Sequence, residues 1–372
     1  MLISRRALLQ QIGAGLSLSK TALAAFAPPG KRPARPIRLD RNGNAYGASP
    51  KAIAAMRAVA PSRRHRYSDA EVETLRAKIA AIHGVGPDHV LIGAGSRDVL
   101  RMAIETFTPS GKKAIAALPT FDAIGDYARR AGCELVAVPL TKRYAHDLNA
   151  MLARTESTTG LAYICNPNNP TGSLTPRTEI EEFLRRLPHA IPVVVDEAYH
   201  HYVSESSDYV SFIDRPIDDQ RLIVLRSFSK VYGLAGIRVG YAVAAPQMIR
   251  QLAAASRSEA VSVAAAVAAA AALDDLEHVR ASVKRNTDDR QQFLNQANAR
   301  MLRAIDSHAN FVMIHAGRPA AEIVAHLKKH DVLVPPPFAP FDMHVRVSLS
   351  LPDQIREFWR VWDLAGGTQH RM

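Results

Sequence analysis

Seven short apolar runs along the middle of the chain constrain its fold more than any other feature. They lie at residues 89–92, 113–117, 134–138, 161–164, 192–195, 222–225 and 239–243. Runs of this length that are apolar throughout are typical of strands buried on both faces. Helical patterns lie between most of them, and this alternation indicates an α/β fold with a mainly parallel seven-stranded sheet and helices on both faces.

The C-terminal third of the chain predicts a second, smaller α/β domain. An alanine-rich run from Gln247 to Leu276 has no proline or glycine, which favours one long bridging helix. Strands are predicted at 311–314, 332–334 and 344–349, with a final helix at 352–365. About 345 residues follow the N-terminal leader, more than one domain usually holds, so two domains sharing a site are expected. The predicted segments are 1–27 (leader), 28–66 (linker and N-terminal arm), 67–250 (large domain) and 251–372 (bridging helix and small domain).

Two residues beside the apolar runs carry reactive chemistry. Lys230 ends Arg226-Ser227-Phe228-Ser229-Lys230, which follows the run 222–225. A lysine amine can condense with an aldehyde and then act as a base, although a lysine after a strand is more often an ordinary surface residue. Asp196 follows the run 192–195, where a buried carboxylate needs a partner such as a protonated ring nitrogen. A helix N-cap is the simpler interpretation of Asp196.

The segments that contain Lys230 and Asp196 occur in one chain with Asn166–Gly172 and Gly233–Gly240. In this order they resemble fold-type I pyridoxal-phosphate (PLP) enzymes of the class I/II aminotransferases. The histidinol-phosphate aminotransferase group is the most similar, and the resemblance covers about residues 42–350. It implies that Lys230 forms a Schiff base with the cofactor and then moves the substrate Cα proton. It also implies that Asp196 pairs with the pyridine nitrogen, and that Tyr199 and Asn169 bind the ring hydroxyl.

A glycine turn is predicted to bind the cofactor phosphate. Gly93–Asp98 follows the first apolar run and opens a helical pattern, which brings backbone N–H groups to an anion. By itself this is an ordinary strand–helix turn. The resemblance implies cofactor contacts from Ser96 and Arg97 in the turn, and from Ser227 and Arg238 further along.

The resemblance assigns three more residues. Phe121 would stack on the cofactor ring, although a core phenylalanine is the simpler interpretation. Arg346 would bind the substrate α-carboxylate as a fork, where a solvent-facing strand position is the alternative. Tyr67 would reach the cofactor phosphate of a neighbouring subunit, which implies a homodimer.

The expected reaction moves an amino group from an amino acid to a 2-oxo acid, and two departures from the family pattern bear on the donor. The family's Asn-Glu-Asn-Pro-Tyr-Gly reads Asn42-Gly43-Asn44-Ala45-Tyr46-Gly47 here, and Asn44 and Tyr46 are the predicted substrate contacts. An arginine that family members carry after a small-domain strand is replaced by Pro335. Without that guanidinium a substrate phosphate would be held less well. We therefore expect a free or peptide-antibiotic-related amino acid rather than histidinol phosphate.

Other activities fit the same residues. A lyase, a decarboxylase or an amino-acid oxidase would use the same cofactor contacts. A non-catalytic periplasmic binding protein is a further alternative, which the combination of Lys230, Asp196, Tyr199 and Arg238 disfavours.

The N-terminus is typical of a twin-arginine signal peptide. Arg5-Arg6 precede a moderately apolar stretch that ends in Ala22-Leu23-Ala24. Polar residues such as Gln10, Gln11 and Lys20 make this stretch a poor membrane anchor. We expect export of the folded protein by the twin-arginine machinery to the periplasm. A cytoplasmic enzyme with a basic N-terminus is the alternative.

Composition adds few further constraints. The net charge is +12, but the basic residues are scattered and no basic helix carries interleaved aromatics, so nucleic-acid binding is not expected. The two cysteines, Cys133 and Cys165, are predicted at opposite ends of the sheet, too far apart for a disulfide. No Cys/His spacing suggests a metal site. The adjacent His200 and His201 are interpreted as ordinary polar residues.

Overall fold

The computed structural model describes residues 36–63, 67–204, 208–257 and 260–366. Its central sheet has the strand order β2-β8-β7-β6-β5-β3-β4. Only β8 runs against its neighbours, so the prediction of a mainly parallel seven-stranded sheet is confirmed. The strands are β2 (Val90–Gly93), β3 (Lys113–Leu118), β4 (Glu134–Pro139), β5 (Thr159–Cys165), β6 (Val193–Asp196), β7 (Leu222–Ser227) and β8 (Gly240–Ala244).

Each face of this sheet is covered by helices. Successive strand residues point to opposite faces, so Val193 and Val195 enter one core while Val194 enters the other. Because both cores are apolar, the strands are apolar throughout instead of alternating. The helices packed against the sheet are α1 (Pro50–Arg63), α2 (Asp69–His83), α3 (Ser96–Phe107), α4 (Ala123–Arg130), α5 (Leu148–Ala153), α6 (Arg177–Arg186), α7 (Pro246–Ala254) and α8 (Val263–Leu273).

The prediction of one long helix over 247–276 is wrong. The segment contains α7, α8 and the start of α9 (Leu276–Ala299). The Ser262 side chain accepts a hydrogen bond from the Ala265 backbone N–H, and the Asp275 side chain accepts one from His278. Side chains in these positions are N-caps, so each starts a new helix where alanine content alone would continue the old one.

The C-terminal part builds a separate antiparallel sheet of three strands in the order β12-β10-β9. Its strands are β9 (Arg303–Ala304), β10 (Phe311–His315) and β12 (His344–Ser348), and β11 is the short Val332–Leu333. Helices α10 (Ala320–Lys329) and α11 (Pro352–Gly366) complete this part, and the Phe293 ring of α9 packs on Phe358 and Trp359 of α11. The predicted strands and final helix are confirmed, whereas the domain boundaries stay predictions and the leader lies outside the described residues.

The N-terminal arm connects the two sheets. It begins with β1 (Ile37–Arg38). The Leu39 backbone N–H donates to Leu333 over 2.8 Å, and its carbonyl accepts from Ser348 over 2.9 Å. The next residues therefore leave the small sheet directly toward the carboxyl ends of β5, β6 and β7.

The two cysteines lie where the sequence predicted. Cys133 precedes β4, Cys165 ends β5, and both are free and buried. Across the described ranges, no helix is long and apolar enough to cross a membrane. The same ranges hold no group of three His, Cys, Asp or Glu side chains that could bind a metal ion.

Candidate active site

Lys230 lies in the turn that follows β7. Its flanking residues Phe228 and Val231 are fully buried, which fixes the turn. The lysine Nζ donates to the Asn42 carbonyl over 3.2 Å and lies 4.9 Å from the centre of the Tyr199 ring. Burial, followed by the positive charge of Arg346, lowers the pKa of Lys230 to about 8. A lysine with such a pKa is partly neutral near neutral pH, as a base requires.

Asp196 ends β6 and is only 2% exposed. One carboxylate oxygen accepts a hydrogen bond from the Tyr163 hydroxyl, and the other accepts from the Ala198 backbone N–H, each over 3.1 Å. Burial raises the pKa of Asp196 to about 6. A regular helix does not start at Asp196, because only the short 3-10 turn His200–Tyr202 follows it. The carboxylate thus keeps the capacity to hold a cationic partner.

Tyr199 and Asn169 are joined to Arg346 and to the N-terminal arm. The Tyr199 hydroxyl accepts from the Asn42 side chain over 3.1 Å, and its ring meets Phe311 edge-on at 5.2 Å. The Asn169 side-chain oxygen accepts from Arg346, whose other terminal nitrogen donates to the Asp40 carbonyl over 3.0 Å. The buried Nε of Arg346 has no hydrogen-bond partner among the described residues. Such a donor can still bind a carboxylate.

The glycine turn before α3 forms an anion cradle together with the turn after β7. Gly95 has a φ of +88°, and a Cβ there would lie 2.3 Å from an Arg238 nitrogen. Arg238 donates to the Ser229 hydroxyl over 3.3 Å, and the Ser227 hydroxyl accepts from the Ser229 backbone N–H over 3.1 Å. A guanidinium, two hydroxyls and a helix N-terminus therefore converge, which suits a phosphate.

Gly240 brings the cradle and β8 into contact. A Cβ at Gly240 would lie 2.3 Å from the Ser96 backbone nitrogen and 3.0 Å from the Arg226 carbonyl. Both neighbours are backbone atoms, so only glycine lets the first turn of α3 approach the strand ends this closely. Ser96 is thereby held at the start of α3, where it was predicted to bind the cofactor.

Arg97 and Phe121 lie together beside the cradle. The Arg97 guanidinium lies 5.3 Å from the centre of the Phe121 ring and 3.9 Å from the Asp126 carboxylate. Its charge is therefore directed at Asp126, and its position in the first turn of α3 gives it a backbone N–H near the cradle. Phe121 is half-buried.

The side chains of Asn44 and Tyr46, the predicted substrate contacts, are engaged elsewhere. The Asn44 amide donates to the Val231 carbonyl over 2.9 Å and to the Ser282 hydroxyl, and the Tyr46 hydroxyl donates to Asp289 over 2.8 Å. Ser282 and Asp289 belong to α9, so these contacts tie the N-terminal arm to that helix. Tyr67 is 73% exposed and available to another molecule.

Sequence reasoning missed Asn42, the residue that joins these groups. It contacts Lys230 and Tyr199 as described above, and its side chain also accepts from the Ser348 hydroxyl over 2.7 Å. Its φ is +52°, a left-handed conformation that asparagine tolerates better than most residues. Asn-Gly pairs are typical of turns, but nothing in Asn42-Gly43-Asn44 indicates which asparagine enters the site.

The interpretation of His200 and His201 as ordinary polar residues also needs correction. His200 Nδ1 bonds the Tyr209 hydroxyl at 3.0 Å, and His201 Nε2 bonds the Tyr232 hydroxyl at 3.2 Å. Burial and the nearby Arg226 lower the pKa of both imidazoles and keep them neutral. They are parts of a buried polar network behind the catalytic turn.

A lysine with a lowered pKa, a buried acid and an anion cradle lie at the carboxyl ends of the strands, and this combination suits a phosphorylated aromatic aldehyde such as PLP. The model of the family "Aminotransferase class I and II" matches residues 34–359. The chain belongs to this family. It is a PLP-dependent aminotransferase whose substrates are small amino and keto acids.

Similar proteins support the same assignment. The chain is 37% identical to a histidinol-phosphate aminotransferase of Symbiobacterium thermophilum over 87% of this chain and 88% of that protein. It is also 37% identical to histidinol-phosphate aminotransferase 2 of Carboxydothermus hydrogenoformans, over 86% and 88%. The crystal structure of the Sinorhizobium meliloti histidinol-phosphate aminotransferase in complex with PLP matches with a TM-score of 0.83 and 26% identity, covering 98% of this chain and 96% of that one. The predicted fold-type I PLP fold is confirmed.

The described residues fit this cofactor. Asp196 suits the pyridine nitrogen, and the cradle of Ser96, Ser227 and Arg238 suits the phosphate. The charges of both Asp196 and Arg238 act on Lys230. The carboxylate with a raised pKa and the Arg346 Nε without a partner are both groups that a bound cofactor and substrate would satisfy.

We predict that Lys230→Met stabilises the cofactor-free protein in a pH-dependent way. Because the folded pKa of Lys230, about 8, lies below the ordinary 10.5, the fold disfavours the ammonium form. The penalty is complete below pH 8 and disappears as pH rises to 10.5. Urea unfolding should show Lys230→Met more stable than wild type by on the order of 1–3 kcal/mol at pH 7–8, with the difference shrinking toward pH 10.5. The exposed Lys112→Met is the control, and an equal effect of both substitutions would contradict the prediction.

Proposed function

We propose that this aminotransferase takes its amino group from a free α-amino acid with one carboxylate, rather than from histidinol phosphate. The observation that carries the proposal is that Arg346 is buried at the site, whereas Pro335 stands after β11 where a second arginine was expected from the family pattern. A guanidinium fork with one unpartnered nitrogen matches one carboxylate. A phosphomonoester carries more charge and more acceptor oxygens than one such fork satisfies.

The chain's own residues divide the work. When bound, PLP supplies a ring that withdraws electrons from the substrate Cα. Arg346 orients the substrate carboxylate, and the buried Asp196 carboxylate holds a positive charge on the partner that faces it. Lys230 accepts the Cα proton in its neutral form and returns it, which its pKa of about 8 allows.

The relatives at 37% identity are named histidinol-phosphate aminotransferases, so histidinol phosphate is the rival donor. An experiment can distinguish the two donors, because a free amino acid has an α-carboxylate for Arg346 and histidinol phosphate has none. The test is the loss of the visible absorption band of the enzyme-bound cofactor when each donor is mixed with the enzyme. We expect free amino acids to convert the band and histidinol phosphate to react at least about tenfold more slowly, which corresponds to roughly 1.4 kcal/mol.

Pro335→Arg should bring back reactivity with histidinol phosphate. The new guanidinium adds a charge-assisted hydrogen bond to the phosphate, so kcat/KM for this donor should rise about tenfold or more. Pro336→Arg, at the exposed neighbouring position, adds the same charge as a control and should leave that value unchanged. Wild-type enzyme that already prefers histidinol phosphate over every amino acid would disprove the proposal. Melting curves check that both variants fold.

We infer that the enzyme works as a homodimer. The support is Tyr67, which is 73% exposed on one chain although the family resemblance gives it a role at a cofactor phosphate. Mixing an inactive Tyr67→Ala protein with an inactive Lys230→Ala protein should restore activity, because hybrid dimers then contain one site with both native residues. Recovery of about a quarter of wild-type activity is expected for random pairing. Mixtures that exchange subunits but stay inactive would contradict shared sites. Asp196→Ala mixed with Lys230→Ala is the comparison, because both residues belong to the site of one chain and this mixture should stay inactive.

We also propose export to the periplasm through the twin-arginine route, for which the sequence of residues 1–27 is the support. Cell fractionation should find the shortened, active enzyme in the periplasm. Changing Arg5 and Arg6 to lysine preserves the charge but removes the arginine pair, and should hold the enzyme in the cytoplasm. Changing Arg32 and Arg35 to lysine is the matched control. An unshortened cytoplasmic protein in wild-type cells would show that the N-terminus has another role.

A further inference from the structure

Asn42 lies in the middle of a series of buried hydrogen bonds that ends at Tyr199. Its backbone N–H donates to the Ser348 hydroxyl over 2.9 Å, and that hydroxyl donates to the Asn42 side-chain oxygen over 2.7 Å. The Asn42 side-chain nitrogen then donates to the Tyr199 hydroxyl over 3.1 Å. All three residues are buried. We call them the Asn42 network.

A backbone group sets the direction of every hydrogen bond in the Asn42 network. The backbone N–H of Asn42 can only donate, so the Ser348 oxygen accepts from it and the Ser348 hydrogen is left for another acceptor. Among the described residues that acceptor is the Asn42 side-chain oxygen, which turns the amide nitrogen toward Tyr199. A flipped amide would leave the buried Ser348 hydrogen without an acceptor, at a cost in free energy. The observed orientation is therefore the favoured one.

Tyr199 is left with a hydrogen to donate. An amide nitrogen cannot accept, so the Tyr199 hydroxyl is the acceptor in its bond with Asn42, and no described residue accepts its own hydrogen. Burial raises the pKa of Tyr199 above its ordinary value, so the hydroxyl keeps that hydrogen at neutral pH. The ring is fixed by Phe311, which pairs with Ser348 across β10 and β12. A buried donor without an acceptor suits an oxygen of a bound ligand.

The backbone of Asn42 has a separate contact with the reactive lysine. Its carbonyl accepts from Lys230 Nζ over 3.2 Å and from the Asn310 side chain over 3.1 Å. These bonds involve the main chain, whereas the bond to Tyr199 involves the amide. The φ of Asn42 is +52°, which glycine adopts without strain. Asn42→Gly can therefore remove the amide and keep the carbonyl in place.

We propose that Asn42 and Ser348 are positioning residues that make the Tyr199 hydroxyl a hydrogen-bond donor to the ring oxygen of the cofactor. The proposal rests on the role of Tyr199 that the family resemblance implies, and it holds whichever amino acid is the amino donor. A hydrogen bond donated to that oxygen stabilises its negative charge and weakens its attraction for the proton on the nitrogen that joins Lys230 to the cofactor. The Asn42 network thus lowers the pH at which this nitrogen loses its proton.

The test is a pH titration of the visible absorption band of the PLP-loaded enzyme without substrate. Tyr199→Phe removes the donor and should raise the midpoint by about one pH unit. Asn42→Gly and Ser348→Ala let the hydroxyl turn away, and each should raise it by about half a unit or more. Ser350→Ala removes a buried hydroxyl that bonds Gln354 instead, and should leave the midpoint unchanged. An unchanged midpoint in Tyr199→Phe, or in both network variants, would overturn the proposal.

A double-mutant cycle separates the amide of Asn42 from its carbonyl. If Asn42 acts through the Tyr199 hydroxyl, Asn42→Gly should add no further shift to Tyr199→Phe. A full additional shift would show that Asn42 acts on Lys230 by another route and would overturn the proposal. These outcomes are independent of the proposed amino donor, because a wild-type enzyme that prefers histidinol phosphate would disprove the proposed function without changing any midpoint.

Ser348 provides a second test if Asn42→Gly does not fold. Ser348→Thr retains a hydroxyl at this position, so its midpoint should equal that of the wild-type enzyme, whereas the midpoint of Ser348→Ala should be higher. Equal, raised midpoints in both variants would show that altered packing and not the loss of the hydroxyl causes the shift, which would overturn the role of Ser348.

Discussion

A buried ion pair between Glu197 and Arg226 holds together the strand ends on which the site depends. Glu197 follows Asp196 at the end of β6, and Arg226 precedes Ser227 at the end of β7. The side chains are 1% and 4% exposed, and their nitrogen and oxygen lie 2.9 Å apart. The Ser211 hydroxyl and the Phe212 backbone N–H also donate to Glu197, so the buried carboxylate is well satisfied. Because breaking such a pair leaves an unpaired buried charge, its loss would displace both strand ends together.

The electrostatics of the site follow from burial. Asp196 and Lys230 are both removed from water, which raises the pKa of the acid to about 6 and lowers that of the amine to about 8. Away from water, the Asp196 carboxylate and the Lys230 amine each interact more strongly with a partner of opposite charge than they would in solvent. Arg346 completes the arrangement with a buried nitrogen that no described residue satisfies. The fold thus keeps three polar groups at a free-energy cost that a bound cofactor and substrate can offset.

The sequence predicted the large sheet well, because strands buried on both faces are apolar throughout and stand out from the polar segments around them. It also marked Lys230, Asp196, Asn169, Tyr199 and Arg346, which come together although they are spread over 178 positions of the chain. It did not predict the break between α7 and α8, since helix propensity is summed over a segment while one serine cap acts locally. It named Asn44 and Tyr46 and missed Asn42, because the partners of all three residues lie more than 150 residues away.

Sequence alone determined the class of fold and the cofactor chemistry, and it predicted Lys230 as the reactive lysine, because each depends on residue types in a fixed local order. Only the tertiary structure decided which side chains meet. The positive φ of Asn42 directs its carbonyl to Lys230 and its amide to Tyr199, and the register of β10 with β12 places Phe311 on the same face as Arg346. These outcomes depend on backbone conformation and strand pairing over long separations, which no local pattern of residues encodes.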